Sequence, residues 1–334
     1  MGSRVINIAL LGAGEIGQFH AETIARHLRG ARLTAVADPV DEHARCAAAQ
    51  GDGVRVAADA VEVLGDAAID AVVISSPTRF HAPMIIEAAA AGKHIFCEKP
   101  LALTLDDARA AIAAAQSNGV KLQVGFQRRF DAGYVRARRA VERGELGAVE
   151  LLLSTTRDPE PPAPGYLASC GGMFLDTAIH DFDSVRFLSG SEVVEVFATA
   201  SSLVAPERQG PYEVDTSVTV LRLASGALAT VTNSLRTGYG YEAGAEVYGG
   251  RGKLVIAGGD GSGVQCFTEA GAATMYPQTY RERFAQAYRD ELAEFVRCIA
   301  EDRAPRVTGD DGLRALEVAL AATRSQQEGC TVRL

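Results

Sequence analysis

Asp176 and His180 stand four residues apart in a segment, Gly171 to Asp183, whose pattern predicts a helix over 173–188. At that spacing the two side chains lie one above the other on a single helical face. An imidazole titrates near neutrality, so His180 could take up a proton from a reacting group while the carboxylate orients its ring. The same spacing is also that of an ordinary helix-stabilising contact on a solvated face. Asp183 and Phe187 continue the stripe, whereas Leu175, Ala178, Ile179, Phe182 and Val185 form an apolar stripe suited to burial.

A second constellation lies near the N-terminus. The apolar run Val5 to Leu11 leads into Gly12-Ala13-Gly14-Glu15-Ile16-Gly17 and then a helical stretch, 15–29. A G-x-G-x-x-G between strand and helix has a mechanical meaning. Gly12 permits the tight turn, Gly14 lets the backbone approach a pyrophosphate, and Gly17 allows helix and strand to pack closely. The helix N-terminus then meets the phosphate charge. The next apolar run, 33–37, ends in Asp38, which is 21 residues after Gly17 and can accept hydrogen bonds from the adenosine ribose hydroxyls. A 2′-phosphate would face that carboxylate with only Pro39 and Val40 following, so NAD is expected in preference to NADP; Arg45 is the nearest cation in sequence.

These residues need a scaffold, and the pattern supplies two. Up to about residue 125, β-like runs at 5–11, 33–37, 69–75, 94–97 and 120–125 alternate with helical stretches at 15–29, 40–50, 80–91 and 105–118. That alternation predicts a parallel sheet covered on both faces. Thereafter runs at 149–155, 192–200, 216–224, 227–234, 245–249 and 253–257 predict strands, with helices near 281–301 and 311–326. The expected fold is α/β: an N-terminal Rossmann domain (1–125), then an α+β domain (126–334) on a mostly antiparallel sheet. Pro159 to Pro164 is expected to be a loop lining a site. A net charge of −9 without Lys/Arg clusters argues against nucleic acid and anionic membrane as partners. No apolar run of about 20 residues predicts a membrane span, and the chain enters a strand too early for a signal peptide. The six cysteines, at 46, 97, 170, 266, 298 and 330, have no metal-ligand spacing and are expected to be reduced thiols in the cytoplasm.

At the end of the fifth expected strand stands Cys97-Glu98-Lys99-Pro100. Ligands of a doubly wound sheet bind beyond the carboxyl ends of its strands, although Glu98-Lys99 would otherwise read as an exposed charged pair. Gly12-x-Gly14-x-x-Gly17, Ala91 to Pro100 and Asp176-x-x-x-His180 together resemble the Gfo/Idh/MocA oxidoreductase family over the whole chain. The resemblance implies a homotetramer assembled through an open-faced sheet, and NAD-dependent oxidation of a secondary alcohol on a polyol ring. The segments Gln123 to Asp131, Gly171 to Phe187 and Tyr239 to Glu242 resemble those of family members that act on inositol, and the resemblance implies myo-inositol as substrate, oxidised at its axial hydroxyl to 2-keto-myo-inositol.

The catalytic set it implies is Lys99, Asp176 and His180. The cofactor set is Gly12, Gly14, Glu15, Ile16, Gly17, Asp38, Ser76, Pro77, Glu98 and Lys99, with no metal. Lys99, Asp176 and His180, joined by Arg128, Asp158 and Tyr241, would hold the substrate's hydroxyls. The chemistry is consistent. His180 takes the hydroxyl proton as hydride leaves carbon, Asp176 holds the imidazole tautomer, and Lys99 meets the developing alkoxide. Ala243 and Gly244 depart from the resemblance, where bulkier polar residues are expected. That departure keeps scyllo-inositol, an inosose or an aldose as alternative substrates, and fold alone leaves a nucleotide-binding sensor without turnover as a further alternative.

Overall fold

A computed structural model describes residues 5–208, 210, 212–257, 265–269 and 271–334. The chain forms two compact units: Met1–Gln127 with Tyr288–Leu313, and Arg128–Ala287 with Arg314–Leu334.

In the first unit, strands β1 (Ile6–Leu11), β2 (Ala31–Ala37), β3 (Arg55–Val56), β4 (Ala71–Ile74), β5 (His94–Glu98) and β6 (Leu122–Gly125) alternate with helices. These are α1 (Glu15–Arg26), α2 (Asp41–Ala48), α3 (Ala60–Gly65), α4 (His81–Ala90) and α5 (Leu105–Ser117). All strand pairs are parallel, in the order β3-β2-β1-β4-β5-β6. The order reverses between β1 and β4, which makes a crevice at the carboxyl ends of those strands. Continuous apolar runs form these strands because both faces are buried: Ile8, Leu10, Val36, Val73 and Phe96 lie in one core with Leu292 and Phe295. That core adds to the first unit a segment, 288–313, that the expected division had placed in the second. Residues 288–313 group with the first unit because their apolar face completes its core. β3 and α3 were not foreseen, being shorter than any periodicity; Asp59, whose side chain accepts from Glu62 N at 2.9 Å, was their one local signal.

The second unit begins with α6 (Ala132–Glu142), β7 (Val149–Arg157) and α7 (Tyr166–Cys170). Where one helix was expected over 173–188, a turn of π-helix at Phe174–Ala178 runs into α8 (Ile179–Ser189). Then come β8 (Val193–Ser201), β9 (Thr216–Leu223), β10 (Leu228–Ser234), β11 (Glu242–Gly249), β12 (Gly252–Ile256) and a separate hairpin of β13 (Gln265–Thr268) and β14 (Gly271–Thr274). Helices α9 (Tyr280–Ala300) and α10 (Gly309–Glu328) and strand β15 (Val332–Arg333) end the chain.

The main sheet has the order β12-β11-β7-β10-β9-β8-β15. It is mixed: β7 and β10 run parallel and every other neighbouring pair is antiparallel. Alternation along its strands buries Leu152, Ala229, Leu221 and Val196 on one face and turns Leu153, Val220, Phe197 and Leu228 outward. No helix among the described residues is long and apolar enough to cross a membrane.

Candidate active site

The turn after β1 is built around its glycines. Gly12 has φ +93°, and a Cβ there would lie 2.5 Å from Ser76 N; one on Gly17 would lie 2.3 Å from the carbonyl oxygen of Gly12. A Cβ on Gly14 would meet nothing within 4 Å, so the backbone at the start of α1 is open to approach. Gly14 caps α1 without a side-chain hydrogen bond, and Glu15 and Ile16 form the helix's first turn. The cradle fits a pyrophosphate: two glycines are needed by the fold, and the middle one leaves room for the ligand.

Asp38 closes this cradle. Its Oδ2 accepts from Ala13 N at 2.6 Å and its Oδ1 from Val40 N at 2.8 Å, which leaves lone pairs for ribose hydroxyls. Arg45, the cation closest in sequence, is exposed and paired with Asp41 at 2.7 Å. His43 Nδ1 lies 3.8 Å from Asp38 Oδ1. The NAD-binding expectation therefore fits the residues present.

On the other side of the crevice, Ser75 Oγ donates to the carbonyl of Gly12 at 2.7 Å. His81 is buried with Nε2 2.7 Å from the carbonyl oxygen of Ser76 and Nδ1 2.8 Å from that of Pro100. It thus ties the Ser76-Pro77 turn to the Glu98-Lys99-Pro100 turn, whose Lys99–Pro100 peptide is cis. Burial pushes the His81 imidazole below its ordinary range, although both carbonyls favour the protonated ring. Glu98 is buried and Lys99 half-buried, so Glu98 is no surface charge. Its Oε1 lies 2.6 Å from His20 Nε2, and its Oε2 accepts from Lys99 N at 3.2 Å.

In the second unit Asp176 and His180 are both half-buried, Asp176 in the π turn and His180 in the first turn of α8. The widened turn between them corrects the regular-helix picture and is a feature often found at functional sites. Tyr166 Oη donates to Asp176 Oδ1 at 3.3 Å. The Asp176 charge, with burial, pushes the Tyr166 phenol well above its ordinary range. Ser184 Oγ donates to the carbonyl of His180 at 2.7 Å.

The residues just after His180 have another task. Asp181 is fully buried and accepts from Arg128 Nη1, Ser154 Oγ, Thr156 Oγ1 and Asn233 Nδ2 at 2.6–2.8 Å. Asp183, expected on an open polar stripe, is buried too and takes a two-pronged ion pair from Arg129. Arg128 is 1% exposed, and its Nη2 donates to Thr156 at 2.6 Å. Burial opposes its charge, but Asp181 beside it more than compensates and holds the guanidinium charged. One N–H of each Nη thus serves the fold, and Nε has no partner among the described residues. Tyr241 is buried against the Phe284 ring, 6.3 Å between centroids, and burial raises its phenol above the ordinary range, with Asp158 adding to the shift. Asp158 itself is half-buried just past β7.

Ala243 is fully buried and pairs with Thr156 in the β7–β11 ladder, so the departure from bulkier residues follows from packing beside the Asp181 cluster. Sequence reasoning missed Asp181, His20 and His81, and no local pattern marks them. Asp181 stands directly beside the predicted His180, yet its partners lie 25 to 53 residues away.

Comparison with known proteins gives the same picture. Residues 6–126 match the family model described as oxidoreductase family, NAD-binding Rossmann fold, and residues 134–255 match the GFO/IDH/MocA C-terminal domain. The chain is 40% identical over 326 residues to an inositol 2-dehydrogenase of Rhizobium meliloti, covering 97% of each. It is 36% identical over 329 residues to a scyllo-inositol 2-dehydrogenase (NAD(+)) of Bacillus subtilis, covering 98% of this chain and 96% of that one. The crystal structure of a myo-inositol dehydrogenase from Lactobacillus casei in complex with NAD(H) and myo-inositol superposes with a TM-score of 0.90 at 30% identity, over 99% of this chain and 97% of that one.

Proposed function

The chain belongs to the GFO/IDH/MocA oxidoreductase family, and from that premise we propose that it oxidises a secondary hydroxyl of a cyclic polyol, converting myo-inositol to 2-keto-myo-inositol with NAD. The observation that carries this reading is the end-to-end likeness to a relative named for inositol 2-oxidation. The Gly12–Gly17 cradle and Asp38 hold the cofactor, which when bound supplies the hydride acceptor. His180 removes the hydroxyl proton, because hydride leaves carbon readily only as the oxygen loses its proton. Asp176 stabilises the imidazolium that forms, and the Lys99 ammonium stabilises the alkoxide. Asp158, Tyr241 and the N–H groups that Arg128 does not give to Asp181 and Thr156 are what we assign to the remaining hydroxyls.

The test is a panel of polyols followed by NADH absorbance. Robust turnover of myo-inositol is expected, with steep losses for deoxy-inositols, since a missing hydroxyl leaves buried site groups unpaired. Turnover of scyllo-inositol or glucose with none of myo-inositol would overturn the substrate while leaving the dehydrogenase. The scyllo-inositol reading has its own support in the Bacillus subtilis relative.

We also infer a homotetramer in the cytoplasm. The outward row Leu153, Val220 and Phe197, joined by Leu228, is an apolar sheet face of the kind that a second copy covers. Cys46, Cys97, Cys298 and Cys330 are free thiols, with Cys46 and Cys330 exposed, as thiols are in a reducing compartment. Light scattering of Val220→Glu should give smaller particles than wild type; an unchanged mass would remove the face from the interface.

A further inference from the structure

Behind the Glu98–Lys99 turn lies a buried cluster that the mechanism above does not use. His20 of α1, Glu98 of β5 and Glu291 of α9 bring one nitrogen or oxygen each within 4.8 Å of one another, and all three are buried. Glu98 is pinned, with Oε1 2.6 Å from His20 Nε2 and Oε2 accepting from Lys99 N. β6 makes room for it, since a Cβ on Gly125 would stand 3.0 Å from Glu98 Oε2. Glu291 is different. Neither of its carboxyl oxygens has a partner among the described residues, and neither has His20 Nδ1. The backbone at Glu291 is nevertheless held in place, by Gln123 Nε2 donating to its carbonyl at 2.8 Å. The rings of Phe96 and Tyr288 stand edge-on to His20 at 5.4 and 6.1 Å and keep the surroundings apolar.

Two carboxyls this close in an apolar pocket cannot both ionise cheaply. Burial, and then the charge of Glu98, push Glu291 well above the usual carboxylate range. A protonated carboxyl is a donor, which an ionised one is not, and it can satisfy an acceptor of Glu98 or His20. We propose that Glu291 is a positioning residue for hydride transfer: as a neutral acid it shares its proton with the His20–Glu98 pair and so fixes the backbone that carries Lys99. This rests on the reading of Lys99 as the cation at the reacting oxygen. Among the described residues, the cluster meets His20 from α1, Glu98 from β5 and the Tyr288 ring from α9, and the charge of Glu98 also acts on Cys97 and His81. Cys97 is kept a thiol by burial. Loss of the Glu291 proton as pH rises places a second negative charge beside Glu98 and ends the sharing.

The experiment compares full-length wild type, Glu291→Gln and Glu291→Leu. The amide keeps a donor without a charge, so kcat near neutral pH should stay within about twofold, whereas the leucine should cost about tenfold or more in kcat through misplacement. NADH affinity, read by fluorescence, should move little in either, and Glu291→Gln should abolish the fall of kcat with rising pH that loss of the Glu291 proton causes. Infrared difference spectra should show the C=O stretch of a protonated buried carboxyl in wild type and not in Glu291→Gln. That band reads the cluster without turnover, so a failure of the substrate or Lys99 assignment is separable from a failure here. Native kcat in folded Glu291→Leu, or no such band, would overturn the proposal. So would equal damage in both variants with a stoichiometric divalent cation found by elemental analysis, which would make the cluster a metal site.

Discussion

Each unit buries a carboxylate cluster, and the two are satisfied to very different degrees. Asp181 in the second unit accepts four hydrogen bonds, one of them from a buried guanidinium. Glu291 in the first has two carboxyl oxygens with no partner among the described residues and a second carboxyl, Glu98, close by. A carboxylate with every acceptor position filled by donors, and a cation among them, spends its hydrogen bonds on holding β7, β10 and α8 together. One without donors must keep its proton, and a group that keeps a proton in a low-dielectric pocket can respond to pH. The contrast separates a polar cluster built for the fold from one available for chemistry.

The comparison breaks most visibly at Asp181. Asp181→Ala leaves Arg128 buried without its counter-ion, so a loss of about 3–5 kcal/mol of stability is expected, or no folded protein at all. Urea unfolding measures it, and a native midpoint would mean that the four hydrogen bonds carry little. One residue earlier the expectation inverts. His180→Ala should lower turnover roughly 10²- to 10⁴-fold while its unfolding midpoint stays close to wild type. If the midpoint collapsed instead, His180 would belong with Asp181 as part of the fold.

A smaller effect is expected at Glu291, and it carries a sign. Its folded pKa is raised above the unfolded value, so between the two the native state holds a proton that the unfolded chain lacks. Unfolding then releases a proton, and stability falls as pH rises, from the unfolded carboxylate range of about 4.3 up to the folded value. Glu291→Gln should flatten that slope and become the more stable protein as pH rises. Parallel stability curves for the two proteins from acid to alkaline pH would show that Glu291 does not hold a proton. Least of all is expected from Arg45→Ala, which breaks only an exposed i,i+4 pair with Asp41. Neither its unfolding midpoint nor its preference for NAD over NADP should change. A swing toward NAD on removing Arg45 would give that side chain a role at the ribose that its pairing with Asp41 does not suggest.

Much of this was legible in the residues themselves. The alternation of β1 to β6 with helices, the Gly12–Gly17 turn and Asp38 follow from short-range sterics and periodicity, which act over a few residues and leave a pattern in the chain. The outward and inward alternation along β7 to β10 is written in the same way. Where the signal is local but brief, as at β3 and α3, periodicity had nothing to work on. The π turn at Phe174–Ala178 also escaped, because an amphipathic pattern does not distinguish a widened turn from a regular one.

Only tertiary structure could decide which charges are spent and which are kept. Arg128, read as a substrate ligand, is also the counter-ion of Asp181, 53 residues on, and Glu98, read as half of a surface pair, is buried against His20, 78 residues back. Residues 288–313 joined the first unit because Leu292 and Phe295 fill a core made mostly of residues before 100. Burial and pairing are sums over neighbours brought together by the whole fold, so the residue types fixed what chemistry was available, and packing determined where each charge could exist.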